Sequence, residues 1–159
     1  MKYLKELLLI LAVFSVFQTL TQSSMRTGSL PKLPLQTMTG EATATLLRNQ
    51  PSVIYFWGSW CGICSTIQGT ISAVAEDYPV LTVALRSGSD REVSAYLQQN
   101  NLAWQVLNDA NGDLAQTFGV DAVPALFIIA ENGEISSVSR GYISEVGLRL
   151  RLWWAGLNF

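Results

Sequence analysis

Ser52-Val53-Ile54-Tyr55-Phe56-Trp57 runs directly into Gly58-Ser59-Trp60-Cys61-Gly62-Ile63-Cys64, and the fold turns on how these residues are read. After Ser52 the first run is β-branched or aromatic with no polar alternation, the mark of a strand buried on both faces. Ile63, Ile67, Ile71 and Val74 then recur at spacings of four, four and three, which predicts one buried face of a helix beginning at about Cys61. The two cysteines therefore fall at the start of a helix that follows a buried strand. The first turn of a helix has free N–H groups and a partial positive charge, which favours a thiolate there. Cys64 sits one turn further in, on the same side and within bonding reach. This arrangement predicts that Cys61 attacks and Cys64 resolves.

Composition narrows the chemistry. The 159 residues fit one domain plus a short extension; 49% are apolar and 14% charged, enough for a core and too little charge for a disordered chain. The net charge is −2 and the ten basic residues are scattered, so no electrostatic footprint for nucleic acid is present. Histidine is absent, which removes the commonest general base and the commonest zinc ligand. With two cysteines, thiol chemistry runs through one pair. A structural zinc site would need carboxylates for its remaining ligands, and a disulfide closing so short a loop stabilises little. The expectation is a redox pair with no metal and no cofactor.

Downstream, apolar runs alternate with helical patterns, predicting an α/β domain with a partly parallel sheet. Val80 to Leu85 reads as a second buried strand. Asp90 is placed as the cap of a helix reaching about Gln99, with Val93, Tyr96 and Leu97 inward. Trp104 to Leu107 reads as a short strand, and Asn111-Gly112 as a turn before a short helix capped by Asp113 and ended at Gly119. Asn132-Gly133 between Ala125–Ala130 and Glu134–Val138 predicts an antiparallel hairpin. A last helix from about Ser144 carries Val146, Leu150, Trp153 and Leu157 as its expected buried stripe.

Lys2 and Lys5 precede an apolar run from Leu7 to Phe17, extended more weakly to Leu20. Residues 1–21 are expected to be an inner-membrane anchor or signal-like segment, with the charged end in the cytoplasm and the rest outside. No small-residue cleavage pattern follows, which favours an uncleaved anchor. Residues 22–34, with Ser23-Ser24, Gly28, Pro31 and Pro34, are expected to form a flexible linker, and 35–159 the domain.

Phe56 to Cys64 resembles the active-site segment of the thioredoxin family, and Gly119-Val120-Asp121-Ala122-Val123-Pro124 resembles its second signature. Asn111-Gly112-Asp113, the Asn132-Gly133 hairpin and an extra strand–helix unit over about 86–107 look like the TlpA/ResA branch, and within it like the copper-sensitivity suppressors. The resemblance implies a thioredoxin fold with a mixed sheet flanked by helices. It implies a Cys61–Cys64 redox disulfide, a cis proline at Pro124, and a backbone at Val123 that pairs with a substrate strand. Trp60, Gly62 and Ile63 would complete the docking surface, with Trp57 and Tyr55 in support. Two departures stand out: Tyr55 occupies the place of the buried aspartate of thioredoxins, and Ile67 that of a glutamate found in several reductive relatives.

The function expected is disulfide exchange with partner proteins on the extracytoplasmic side, fed by an integral-membrane electron donor and implied by the resemblance to serve copper-stress tolerance. The alternatives are a reductant for apocytochrome c thiols and a module holding Cu(I) between Cys61 and Cys64.

Overall fold

Strand β2 (Ser52–Trp57) is buried along its whole length and organises the molecule. The computed structural model describes residues 6, 25–47 and 49–157. In chain order these form β1 (Gly28–Ser29), α1 (Thr43–Leu46), β2, α2 (Gly62–Thr66), α3 (Gln68–Ala75), β3 (Val80–Leu85) and α4 (Asp90–Gln99). They continue with β4 (Gln105–Asp109), α5 (Asp113–Phe118), β5 (Ala125–Ile129), β6 (Glu134–Arg140) and α6 (Glu145–Leu157).

The sheet has the order β1-β6-β5-β2-β3-β4. β2, β3 and β4 are parallel, while β5, β6 and β1 join antiparallel, so the sheet is mixed. Alternation along β2 divides the core into two layers. Val53, Tyr55 and Trp57 share one layer with Ile67, with Ile71 of α3, with Val93 of α4, and with Leu148 and Leu152 of α6. Ile54 and Phe56 face Phe118 of α5, Phe127 and Met25 on the other side. The Asn132-Gly133 hairpin is present: Gly133 takes a positive φ of 81° and Asn132 Oδ1 accepts the Glu134 N–H at 2.9 Å.

Several expectations are corrected. The helix after the cysteines is two short helices meeting at Ile67, and Ile63 points outward at 55% exposure while Ile67, Ile71 and Val74 are buried. Ser89, not Asp90, caps α4, in a reciprocal box with Glu92. Asp113 lies inside α5, whose first turn is capped from the end of β4: the Asp109 carboxylate accepts the N–H groups of Leu114 (3.0 Å) and Ala115 (2.8 Å). The expected stripe of α6 is its outer face, since Leu148, Leu152 and Ala155 are the residues turned to the core. Part of the expected linker is docked: Met25 is buried, Arg26 N–H donates to Phe118 O, and Gly28–Ser29 adds an edge strand to β6. No helix among the described residues is long and apolar enough to cross a membrane, and the expected anchor, 1–21, lies outside the described residues.

Candidate active site

The C-terminal end of β2 delivers the chain into a tight turn, with Cys61 N–H donating to Gly58 O at 3.0 Å. The turn places Cys61 as the N-cap of α2, where its sulfur accepts the N–H of Cys64 at 3.1 Å. One of the helix's orphan donors is thus aimed at the sulfur, the local form of the stabilisation expected for a thiolate at a helix start. Cys61 and Cys64 are joined as a disulfide. Cys61 keeps 8% exposure and Cys64 1%, so the outer sulfur belongs to Cys61.

Across from it lies the loop after α5. Gly119 ends that helix in a left-handed cap, and the chain then turns to the cis Val123–Pro124 bond. Cys61 Sγ lies 3.8 Å from the Val123 carbonyl oxygen, and Pro124 O accepts the Gly141 N–H at 2.9 Å. The cysteines and Val123–Pro124, distant in sequence, therefore meet at one rim.

Trp60 and Ile63 flank the disulfide on the outside, at 60% and 55% exposure, and Gly62 beside them is open to solvent. The Trp60 indole N–H is shared between Leu85 O (3.1 Å) and Arg86 O (3.2 Å), which fixes an exposed aromatic ring. Ser87 completes this support: its hydroxyl accepts the Ser59 N–H at 3.0 Å and donates to Leu85 O. Arg86 adopts a left-handed φ of 45°, a strained state for a side-chain-bearing residue, and that bend helps present both carbonyls to the indole. The sequence reading missed Arg86 and Ser87. The available signal was a polar triplet, Arg86-Ser87-Gly88, at the carboxyl end of a buried parallel strand, where open α/β sheets bind ligands.

Behind the disulfide lies an aromatic box. Trp57 packs against Tyr96 (centroids 5.3 Å apart) and edge-on against Trp104 (5.5 Å), and Tyr55 meets Trp104 edge-on at 5.8 Å. Tyr96 accepts a hydrogen bond from Gln68 Nε2, and the Trp104 indole donates to Ser72. The Tyr55 hydroxyl and Trp57 Nε1 are buried with no hydrogen-bond partner. Burial, reinforced by Tyr96, pushes the Tyr55 phenol well above its ordinary pKa, so it stays protonated at working pH.

A mixed sheet with a vicinal cysteine pair at the helix start after its central strand, opposite a cis proline, defines a thioredoxin-fold dithiol–disulfide protein. The chain belongs to the AhpC/TSA family, whose model matches residues 29–138. A thioredoxin-like protein of Haemophilus influenzae is 35% identical over 127 residues, covering 78% of this chain and 75% of the relative. The sporulation thiol-disulfide oxidoreductase A of Bacillus subtilis is 22% identical over 150 residues, covering 89% of this chain and 91% of the relative. The crystal structure of StoA from Bacillus subtilis superposes with a TM-score of 0.66 at 22% identity, covering 79% of this chain and 98% of that one, which shows the fold. The protein is a thiol–disulfide oxidoreductase of the DsbE/ResA/StoA type, with Cys61 and Cys64 as its cysteine pair.

Proposed function

We propose that this protein exchanges disulfides with partner proteins on the extracytoplasmic side of a bacterial inner membrane, with Cys61 attacking and Cys64 resolving. The observation that carries the reading is the asymmetry of the pair: the Cys61 sulfur is the one at the rim, on the helix N-cap and beside Val123. In the reduced protein, the Cys61 thiolate attacks one sulfur of a partner disulfide, forming a mixed disulfide and releasing the other partner sulfur as a thiolate. Cys64 gives up its proton and attacks Cys61 Sγ. This closes the Cys61–Cys64 bond and frees the second partner sulfur, so the partner gains two electrons and the enzyme loses two. Returning to the dithiol form needs a second dithiol, supplied in this reading by an integral-membrane donor.

During the mixed-disulfide stage the Val123 backbone pairs with an extended partner segment and Pro124 shapes the floor beneath it. Trp60, Gly62 and Ile63 form the apolar outer wall, while Trp57 and Tyr55 hold the inner side of the pair rigid. Lys2 and Lys5 before the Leu7–Phe17 run support anchoring with the domain outside. Protection of extracytoplasmic thiols under copper stress is supported by the sequence resemblance to the copper-sensitivity suppressors.

Trapping in cells tests the reading. Cys64→Ala is expected to accumulate reducible high-mass complexes after acid quench and alkylation, and Cys61→Ala almost none. Equal trapping by both variants overturns the roles assigned to the two sulfurs, and absence of trapping by either overturns the exchange reading.

A further inference from the structure

Much of the segment expected to be a free linker belongs to the domain. Met25 is buried at 5% exposure, in one core layer with Phe118, Val120 and Ala125. Arg26 N–H donates to Phe118 O at 3.0 Å, and Gly28–Ser29 pairs with Ile135 and Glu134 of β6. The direction of this docking matters. β1 is antiparallel to β6, and β6 runs from the Asn132-Gly133 turn up to Arg140, which pairs with Ala125 directly after Pro124. Followed backwards from Gly28, the chain therefore heads toward the disulfide end of the sheet. Arg26 is caught on the way by the last residue of α5, the helix that leads into the Val123–Pro124 loop.

We infer that the docked linker holds the disulfide rim toward the bilayer, so that the site serves partner cysteines at the membrane surface. The inference rests on the anchoring proposed above for residues 1–21. Residues 22–24 are then all that separates anchor from domain, and the step from residue 21 to Met25 spans at most about 14 Å when fully extended. A domain of about 130 residues is roughly 36 Å across. A leash shorter than half that diameter leaves no room for the domain to turn over, so the end to which it is fastened faces the headgroups. The fastening is threefold: a buried side chain, a backbone hydrogen bond and a strand pairing, so loss of one contact does not lengthen the leash appreciably. The far end, at Asn132-Gly133, stands about 20 Å further out, the length of the six-residue β2. The partner this geometry fits is a membrane protein whose dithiol or disulfide lies near headgroup level. A soluble partner reaches Cys61 only by entering the gap between domain and bilayer.

The test places a fluorescent donor at either end of the full-length chain, in vesicles of phosphatidylethanolamine and phosphatidylglycerol that carry a headgroup acceptor. Ala122→Cys labels the rim and Glu131→Cys the hairpin end, both exposed positions, each in a Cys61→Ser/Cys64→Ser background so that one thiol reacts. Energy transfer is expected to be at least ~2-fold stronger from position 122, given ends about 20 Å apart. A flexible Gly-Ser insert of about 15 residues after Ser24 adds roughly 20 Å of average reach, and more than the domain's diameter at full extension. It leaves every docked residue in place and is expected to abolish the difference. Equal transfer from the two positions, stronger transfer from 131, or a difference that survives the insert overturns the inference while the anchoring stands. Protein that does not float with the vesicles overturns the anchoring, and the inference falls with it.

Discussion

The Trp60 indole lies so close to Gly58 that a Cβ at position 58 would stand 2.6 Å from Trp60 Cε2 and 2.8 Å from Nε1. Real Cβ atoms do not approach carbon so closely, so any side chain at 58 displaces the ring from the carbonyls of Leu85 and Arg86. Gly58→Ala is expected to release Trp60 and to destabilise the oxidised protein by about 1–3 kcal/mol, as overpacking does. Urea unfolding followed by tryptophan fluorescence measures the loss. An Ala variant with wild-type stability and an unchanged Trp60 emission would show that the ring is not held as described.

Tyr55 stands where thioredoxins place a buried aspartate, yet its hydroxyl is buried without a partner and its phenol holds its proton. A group that stays protonated throughout the working range is no base toward Cys64. Removing an unsatisfied hydroxyl also relieves a desolvation penalty of about 1–3 kcal/mol. Tyr55→Phe is therefore expected to keep the exchange rate and its pH profile within about twofold, with equal or higher stability. Single-turnover reduction of a protein disulfide between neutral and mildly alkaline pH decides the matter, and a resolving step slowed tenfold would assign the hydroxyl a part in proton transfer.

The central strand, the cysteine turn, the parallel strand β3 and the hairpin were legible because each rests on a local signal: an unbroken apolar run, a short spacing, an Asn-Gly pair. Spacing alone misleads where long-range structure decides. Asp113 looks like the cap of α5 by position, but Asp109, held at the end of β4, reaches Leu114 and Ala115 across the turn. On α6 two apolar stripes compete, Leu148–Leu152–Ala155 and Val146–Leu150–Trp153–Leu157, and spacing alone cannot say which one meets the sheet. By spacing Ile63 belongs to the Ile67–Ile71 stripe, but the break at Ile67 separates α2 from α3 and Ile63 is turned outward. At the site, the motifs point to the cysteines, Val123 and Pro124, which the structure places together at one rim, while the Arg86–Ser87 support depends on which strand lies beside β2.

Glu92 closes the capping box of α4, accepting both the N–H and the hydroxyl of Ser89 at 2.8 Å. Those bonds, the backbone one foremost, hold its carboxyl below the ordinary carboxylate range. The unfolded chain therefore takes up this proton more readily than the folded one. The stabilisation is complete above the ordinary glutamate pKa of about 4.3 and is lost as pH falls through the lower folded value. Glu92→Gln keeps the side-chain shape but cannot titrate. The wild type should lose stability more steeply than the variant as pH drops from mildly acidic to strongly acidic conditions. Urea midpoints over a pH series give both slopes, and parallel curves would mean that the box does not discriminate between the two protonation states.

Trp60 and Ile63 expose 60% and 55% of their surface on either side of the disulfide, an arrangement the fold does not need for its own core. If they form the outer wall against which a partner protein docks, their burial occurs only in the complex, and its benefit is denied to a substrate too small to reach them. Covering about half of a tryptophan or an isoleucine is worth about 1–2 kcal/mol, or roughly 5- to 30-fold in affinity. Trp60→Ser and Ile63→Ser should therefore each lower kcat/KM toward a disulfide-bonded protein by about that factor. The rate with a small aromatic disulfide should change less than about twofold. Steady-state assays with both kinds of substrate, on the same preparations, separate docking from thiol reactivity. Equal losses on small and large substrates would mean that these side chains tune the disulfide itself, and no loss on either would remove them from the docking surface.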